Sequence, residues 1–290
     1  MKEQQEAKVV AEIGCVHLGS MDRAIKLIDL AKICGADYVK FQKRNPEESV
    51  PEALKNQPHP NQCFAYGPTY LEHRKALELS AEQHQTLKQY CEKVGIKYAV
   101  SVWDITSAKE MIEIGPAFIK IPSACNHNRK LMDHLLQYYT GDIHVSTGMS
   151  SHTEINDLVN FMCITDPSKF VLYHCTSIYP CPFEKLHLLD IKELSKLKMK
   201  GLRIGFSNHG YGLAADIAAW VLGAEYIERH FVDDRTLKHT DAAASLEPDG
   251  LRRVCRDLKA VQRAFTYSPS DPDDLEVVER NKLRVENELR

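Results

Sequence analysis

The segment Leu202–Phe231, LRIGFSNHGYGLAADIAAWVLGAEYIERHF, carries the pattern on which the chain is built. Two apolar, β-rich runs, LRIGFSN and YIERHF, flank the helical pattern GLAADIAAWVLG. A strand, a crossover helix and a second strand of this kind pair in parallel. Each run carries an imidazole at its end, His209 and His230. Singly, a histidine there is an ordinary polar residue with many structural uses. If the two strands are neighbours in a barrel, both rings point into one mouth. Two imidazoles converging on one point form a divalent-metal site with open coordination positions.

The same alternation fills the rest of the chain. KVVAEIG ends at Gly14 and precedes MDRAIKLIDLAKIC, whose apolar face carries Ile25, Ile28, Leu30 and Ala31 and which Gly35 stops. YVKFQK covers Tyr38–Lys43. A long irregular stretch, Arg44 to Leu79, follows; a connection of that length usually serves as a lid or a binding loop. Ser80 and Gln83 then form a capping box at the start of the next helix. KYAVSVW precedes a helix from Thr106 to Gly115, FIKIPSA one starting near Arg129, and DIHVST one capped near Thr153. FVLYHC leads through a loop to a helix ending at Leu194, and YIERHF to a helix from Asp249 to about Phe265. Such strands, continuously apolar and covered by helices, indicate a parallel sheet. Eight strand-then-helix units predict an α/β fold, a (β/α)8 TIM barrel over residues 1–265. The competing doubly wound sheet wants G-x-G-x-x-G after its first strand, and EIGCVHLGS does not supply it. Residues 266–290 read as a linker and a short, charged, solvated helix.

Bulk composition narrows the function. A net charge of −3 over 290 residues advertises no basic face, so nucleic acid is not an expected partner. No apolar run approaches the roughly 20 residues needed to cross a bilayer, and the charged N-terminus lacks a signal-peptide core. Nine cysteines without a C-x-x-C pair fit a reducing, cytoplasmic protein. Cys34, Cys91, Cys163 and Cys255 fall on apolar helix faces as small hydrophobes. The group His174, Cys175, Cys181 and His187 has the spacing of no common zinc finger.

In a barrel of this type the reacting groups stand at the C-terminal strand ends. Those ends carry Glu12; Lys40 and Gln42; Ser101 and Asp104; Lys120 and Ser123; Ser146 and Thr147; His174, Thr176 and Ser177; Ser207, Asn208 and His209; Glu228 and His230. Any one of them alone reads as a residue bordering solvent. Lysines inside strands, as in YVKFQK and FIKIPSA, cost desolvation unless a charge meets them. Lys40 and Lys120 with Ser123, Ser146 and Ser207 make a pocket for phosphate and carboxylate. A metal on His209 and His230 would polarise a carbonyl oxygen. The residues therefore point to carbon–carbon bond chemistry or hydrolysis on an anionic, phosphorylated substrate. A lysine Schiff-base aldolase using pyruvate is an alternative that leaves the histidines without a task. Met149, Trp103 and Tyr70 read as core or rim. His17 either lines the mouth or caps its turn.

Taken together, AEIGCVHLGS, ADYVKFQKR, TYLEHRKALELS, SVWDITSAKE, IKIPSACNHN, VSTGMSSHTEI, LYHCTSIYP, GFSNHGYG, IERHFVDDR and TDAAASLEPDGL resemble the sialic acid synthase family, in order, from about Ala11 to Leu251. The resemblance implies a metal-dependent condensation of phosphoenolpyruvate with an aldose such as N-acetylmannosamine. The product would be a nine-carbon 2-keto-3-deoxy sugar acid, formed with release of phosphate. It implies His209 and His230 as ligands of a divalent metal, manganese first, with magnesium or cobalt as alternatives. Lys40, Lys120, Ser123, Ser146 and Ser207 match positions around phosphoenolpyruvate, as does Ser177, where some members have Asn. Gln42, Tyr179 and Asp241 match positions around the sugar, with Glu12 or Asp241 handling the water proton. Cys125 stands where some members place Glu. Family members commonly carry a C-terminal antifreeze-like domain that reaches a partner subunit's site. Arg290 falls where that domain would begin, so the sugar end would be incomplete or closed by another element. A homodimer is the expected assembly, less firmly without that domain. A catalytically silent subunit that binds phosphoenolpyruvate and sugar is the alternative of another class.

Overall fold

A computed structural model describes residues 6–285. Residues 1–5 and 286–290 lie outside it, and with them the start of the N-terminal segment and the end of the tail read above. Eight strands close into one parallel barrel in sequence order. They are β1 Lys8–Gly14, β2 Tyr38–Lys43, β3 Lys97–Val102, β4 Phe118–Ile121, β5 Asp142–Ser146, β6 Phe170–Cys175, β7 Arg203–Asn208 and β8 Tyr226–His230. β1 pairs with both β2 and β8, which closes the ring.

The main helices outside the barrel are Met21–Cys34, Ala81–Val94, Ile105–Ile114, Arg129–Tyr138, His152–Ile164, Leu189–Ser195, Ala214–Val221 and Pro248–Ala264. Their starts follow local chemistry. Ser80 and Gln83 form the expected capping box. The helix expected at Thr106 starts at Ile105, because Asp104 accepts from the Ser107 amide. The cap expected near Thr153 is Ser151, in a capping box with Glu154. β4 ends one residue before Pro122, which has no N–H for the ladder, and Ser123–Cys125 turns as a 3-10 helix. The stretch 44–79 is less irregular than its composition suggests. It holds short helices at Pro46–Ser49, Glu52–Lys55 and Tyr70–Ala76, the last closed by a Thr69–Glu72 capping box. After Ala264 the chain runs exposed to a solvated helix, Asp274–Leu283.

A period of two hides beneath the apolar strand runs. Ala11, Ile13, Val39, Phe41 and Val100 belong to the core between strands and helices. Val10, Tyr38, Ala99, Phe118, Val171, Tyr173 and Tyr226 form a separate cluster that plugs the barrel. Two residues further along these strands come Glu12, Lys40, Ser101, Lys120, Cys175 and Glu228. The alternation of a pleated strand thus places a polar layer directly above the apolar plug. The register sets its members side by side: Glu12 beside Lys40, Ser101 beside Lys120, Ser207 beside Glu228, and Glu12 beside His230.

Candidate active site

The polar layer is held by ion pairs that answer the desolvation cost of the strand lysines. Lys40 Nζ lies 2.5 Å from Glu12 Oε2 and 3.7 Å from Glu228 Oε2, and donates to Ser101 Oγ at 2.7 Å. Lys120 Nζ donates to Glu228 Oε1 and to Ser207 Oγ, each at 2.7 Å. All of these residues are buried. Burial would raise the Glu228 carboxyl, but Lys120 and Lys40 outweigh it and hold it at about 2. Burial pushes the Glu12 carboxyl up, and the Glu228 charge adds to that. Burial opposes the charge on Lys40 as well, yet Glu12 and Glu228 together raise it. For Lys120, burial prevails and lowers it.

His209 and His230 are neighbours, with ring centroids 5.4 Å apart. Tyr179 packs against both, at 4.1 Å from His209 and 5.9 Å from His230. His209 Nδ1 meets the Thr176 carbonyl at 2.9 Å. A carbonyl only accepts, so Nδ1 carries the proton and Nε2 keeps its lone pair. His230 Nδ1 is buried without a hydrogen-bond partner, and Asp241 Oδ2 stands 3.9 Å away. An unpartnered imidazole nitrogen beside a second imidazole and a carboxylate fits a cation. Among the described residues no group of three or more His, Cys, Asp or Glu is arranged to hold a metal. The protein would thus offer two nitrogens and leave the other positions to water and substrate. Burial opposes the charge on Asp241, but His230, His239, Arg74 and Arg44 hold it below the usual carboxylate range.

The strand that ends at Asn208, immediately before His209, is anchored from behind. Arg229 points outward between Glu228 and His230, pairs with Asp216 at 2.9 Å and donates to the carbonyls of Gly210 and Gly212. Asn208 donates to the same Asp216. This buried network fixes the loop immediately after His209.

One cavity takes in Glu12, Lys40, Gln42, Lys120, Ser123, Ser146, Tyr179, Ser207, His209, His230 and Asp241. Ser177 is the exception among the expected site residues. It lines the adjoining depression with Thr147 and His174. Its hydroxyl still reaches the boundary: a Cβ on Gly148 would stand 2.3 Å from Ser177 Oγ and 2.5 Å from Ser123 Oγ. The residue at 148 must therefore lack a side chain for these two hydroxyls to approach. His17 caps its turn, accepting from the Gly19 amide, and lies outside the cavity lining. His174 hydrogen-bonds the Leu186 carbonyl. All nine cysteines are free; Cys34, Cys91 and Cys255 are buried, while Cys163 is half-buried.

The sequence reading passed over several wall residues: Cys15, Arg44, Arg74, His239 and Thr240. Trp103 and Met149 lie at the rim, Met149 being 69% exposed. For Arg44 a signal existed. Lys40, Gln42 and Arg44 continue the period of two past the end of β2. Arg74 had none, since it comes from a short helix inside the long connection. No helix among the described residues is long and apolar enough to cross a membrane.

With this geometry in place, the chain can be set beside known proteins. A family model described as the NeuB family matches residues 27–269. The chain is 34% identical over 262 residues to an N-acetylneuraminate-9-phosphate synthase of Homo sapiens, covering 90% of this chain and 72% of that one. It is 32% identical to an N,N'-diacetyllegionaminic acid synthase of Campylobacter jejuni, over 89% of this chain and 77% of the relative. Among solved structures, a sialic acid synthetase from Leptospira borgpetersenii, in complex with citrate, superposes with a TM-score of 0.79 at 26% identity. The match covers 98% of this chain and 94% of that one.

Proposed function

The chain belongs to the NeuB family, as a sialic acid synthase-like member, and from that premise we propose that it condenses phosphoenolpyruvate with an N-acylated aldose of the mannosamine type. The products are a nine-carbon 2-keto-3-deoxy sugar acid and inorganic phosphate. The observation that carries this reading is the buried pair Lys40 and Lys120, set with three serines on the same cavity as the imidazoles of His209 and His230.

C3 of phosphoenolpyruvate forms the new bond to the aldehyde carbon, and the aldehyde oxygen takes up a proton to become a hydroxyl. Water adds at C2, and the bond from C2 to the phosphate oxygen then breaks, leaving a ketone and phosphate. Lys40 and Lys120 are the cationic donors for the phosphate and carboxylate of the enol substrate, with the hydroxyls of Ser123, Ser146 and Ser207 beside them. Ser177 joins this set from the cavity edge. Gln42 and Tyr179 orient the acceptor. Glu12 and Asp241 are the carboxyls in reach of the water proton, and Glu12, hydrogen-bonded to Gln42, stands nearer the acceptor's orienting amide. His209 and His230 would hold the divalent metal, which supplies Lewis acidity to the acceptor's carbonyl oxygen when bound.

Both lysines face carboxylates, which suits ammonium donors better than Schiff-base amines. Incubation with labelled phosphoenolpyruvate and a panel of N-acylated hexosamines, read by mass spectrometry, tests the proposal. The expected product retains the three carbons of the enol substrate and loses its phosphate. Binding of phosphoenolpyruvate without turnover across the panel would instead indicate a silent subunit. A borohydride-trapped lysine adduct with pyruvate would indicate an aldolase.

A further inference from the structure

Past the end of β2 the chain keeps one face turned to the cavity, and Arg44 follows Lys40 and Gln42 along it. Two carboxylates from other elements fix its backbone there. Glu78 Oε2 accepts from the Arg44 amide at 3.0 Å, and Asp104 Oδ2 accepts from the next amide, that of Asn45, at 2.7 Å. The Arg44 side chain is buried, yet among the described residues no carboxylate lies within 4.0 Å of its nitrogens. A buried guanidinium with no counter-ion at contact is costly, so stability gives no reason for it.

The contacts it does make all bear on Gln42. Its guanidinium carbon lies 3.4 Å from the centre of the Trp103 ring, which holds the planar fork in one place. Nη2 then donates to Gln42 Oε1 at 2.7 Å, the length of a charge-assisted hydrogen bond. The Cys15 thiol points at the same oxygen from 3.8 Å. With its oxygen taken, the Gln42 amide must turn its nitrogen the other way. One N–H donates to Glu12 Oε1 at 2.9 Å. The other has no protein acceptor among the described residues and is left for a ligand in the cavity. Arg44 at one end and Glu12 at the other thus hold the plane of the amide.

We propose that Arg44, braced on Trp103, is a positioning residue for the condensation: it acts through Gln42, locking that amide so that its second N–H meets an oxygen of the aldose. This inference rests on the condensation proposed above. The group of the acceptor that faces Gln42 is then a hydrogen-bond acceptor, such as a hydroxyl or acyl oxygen. Loss of Arg44 slows turnover and leaves the hold on phosphoenolpyruvate intact.

The test has a kinetic arm and a spectroscopic arm. Phosphate release with phosphoenolpyruvate and N-acetylmannosamine is measured in the wild type, Arg44→Met, Gln42→Ala and the double variant. Arg44→Met should lower kcat on the order of 10- to 100-fold and leave KM for phosphoenolpyruvate within about twofold of the wild type. The double variant should be no slower than Gln42→Ala, because Arg44 then has nothing to hold. Effects that multiply overturn the proposal, as does a wild-type kcat in Arg44→Met or a loss confined to KM for phosphoenolpyruvate. Arg44→Lys can still donate but cannot lie flat on the indole, and it should recover part of the rate. A circular dichroism melt shows whether the variants are folded, and Arg44→Lys takes the place of Arg44→Met in the cycle if the latter is not.

The spectroscopic arm needs no turnover. In protein carrying isotope-labelled glutamine, the Gln42 side-chain amide is the NMR signal missing from Gln42→Ala. Arg44→Met should shift that signal toward the position of a free amide and speed its exchange with solvent. A signal that does not move overturns the positioning. No phosphate release by the wild type overturns the condensation, and the amide signal still decides whether Arg44 holds Gln42.

Discussion

Lys120 Nζ meets Glu228 Oε1 at 2.7 Å across the barrel mouth, and both side chains are almost wholly buried. Glu228 also reaches Lys40, so one carboxylate serves two ammonium groups. The arrangement sets both lysines against carboxylate charge before any anionic substrate arrives. Removing one partner of a buried pair leaves an uncompensated charge, at a cost of about 3 kcal/mol. Glu228→Gln should lower the thermal midpoint accordingly. Phosphoenolpyruvate should restore more of that midpoint in the variant than it adds to the wild type, because the ligand replaces the missing negative charge. Scanning calorimetry with and without the ligand measures both. A variant as stable as the wild type would show that Glu228 does not balance the lysines.

Gly148 lies where a Cβ would strike the hydroxyls of Ser123 and Ser177. Gly148→Ala should displace them and lower kcat/KM for phosphoenolpyruvate on the order of 100-fold, the scale of an ångström's misplacement at a reacting centre. The overpacking should cost stability by only about 1–3 kcal/mol. Steady-state kinetics alongside a denaturant titration separates the two effects. Unchanged kinetics would remove these hydroxyls from the site.

His84 is fully buried, edge-on to Phe41 and hydrogen-bonded to the Tyr98 hydroxyl, and burial pushes its imidazole down to about 3. The sign follows from the folded value lying below the ordinary 6.5. The neutral ring contributes in full above pH 6.5, and that stability is lost as the pH falls from there toward 3, because the unfolded chain takes up the proton first. Between pH 7.5 and pH 5 the loss from this residue should be about 2 kcal/mol. His84→Phe keeps the bulk and should flatten the urea midpoint over that interval by this amount. An equal slope in both proteins would contradict the assignment.

Sequence alone revealed most of what the pleat controls. The β-branched runs marked the strands, and the polar residues interrupting them, Lys40, Lys120, Ser207, Glu228 and His230, marked the strand ends that meet in one cavity. Parity did the rest, because residues two apart face the same side. What it did not reveal lies on connections. Arg74, on the short helix Tyr70–Ala76, and His239, on the loop after β8, reach the wall through connections whose path depends on tertiary contacts, such as the Tyr66 hydroxyl donating to the Lys238 carbonyl. The family resemblance, not the strand pattern, places Ser177 beside phosphoenolpyruvate, and the backbone after β6 turns it toward the neighbouring depression. The stretch 44–79 looked irregular because its helices are too short to show a period, although the Thr69–Glu72 capping box was there to be read.

The most direct test of the account is phosphate release from phosphoenolpyruvate plus an N-acylated mannosamine or its phosphate, measured after chelation and again after adding manganese, in the wild type, His209→Ala and His230→Ala. The expected result is release that needs both substrates and the added cation, reduced about 100-fold or more in each variant. Full release by the chelated wild type, or by both histidine variants, would contradict it.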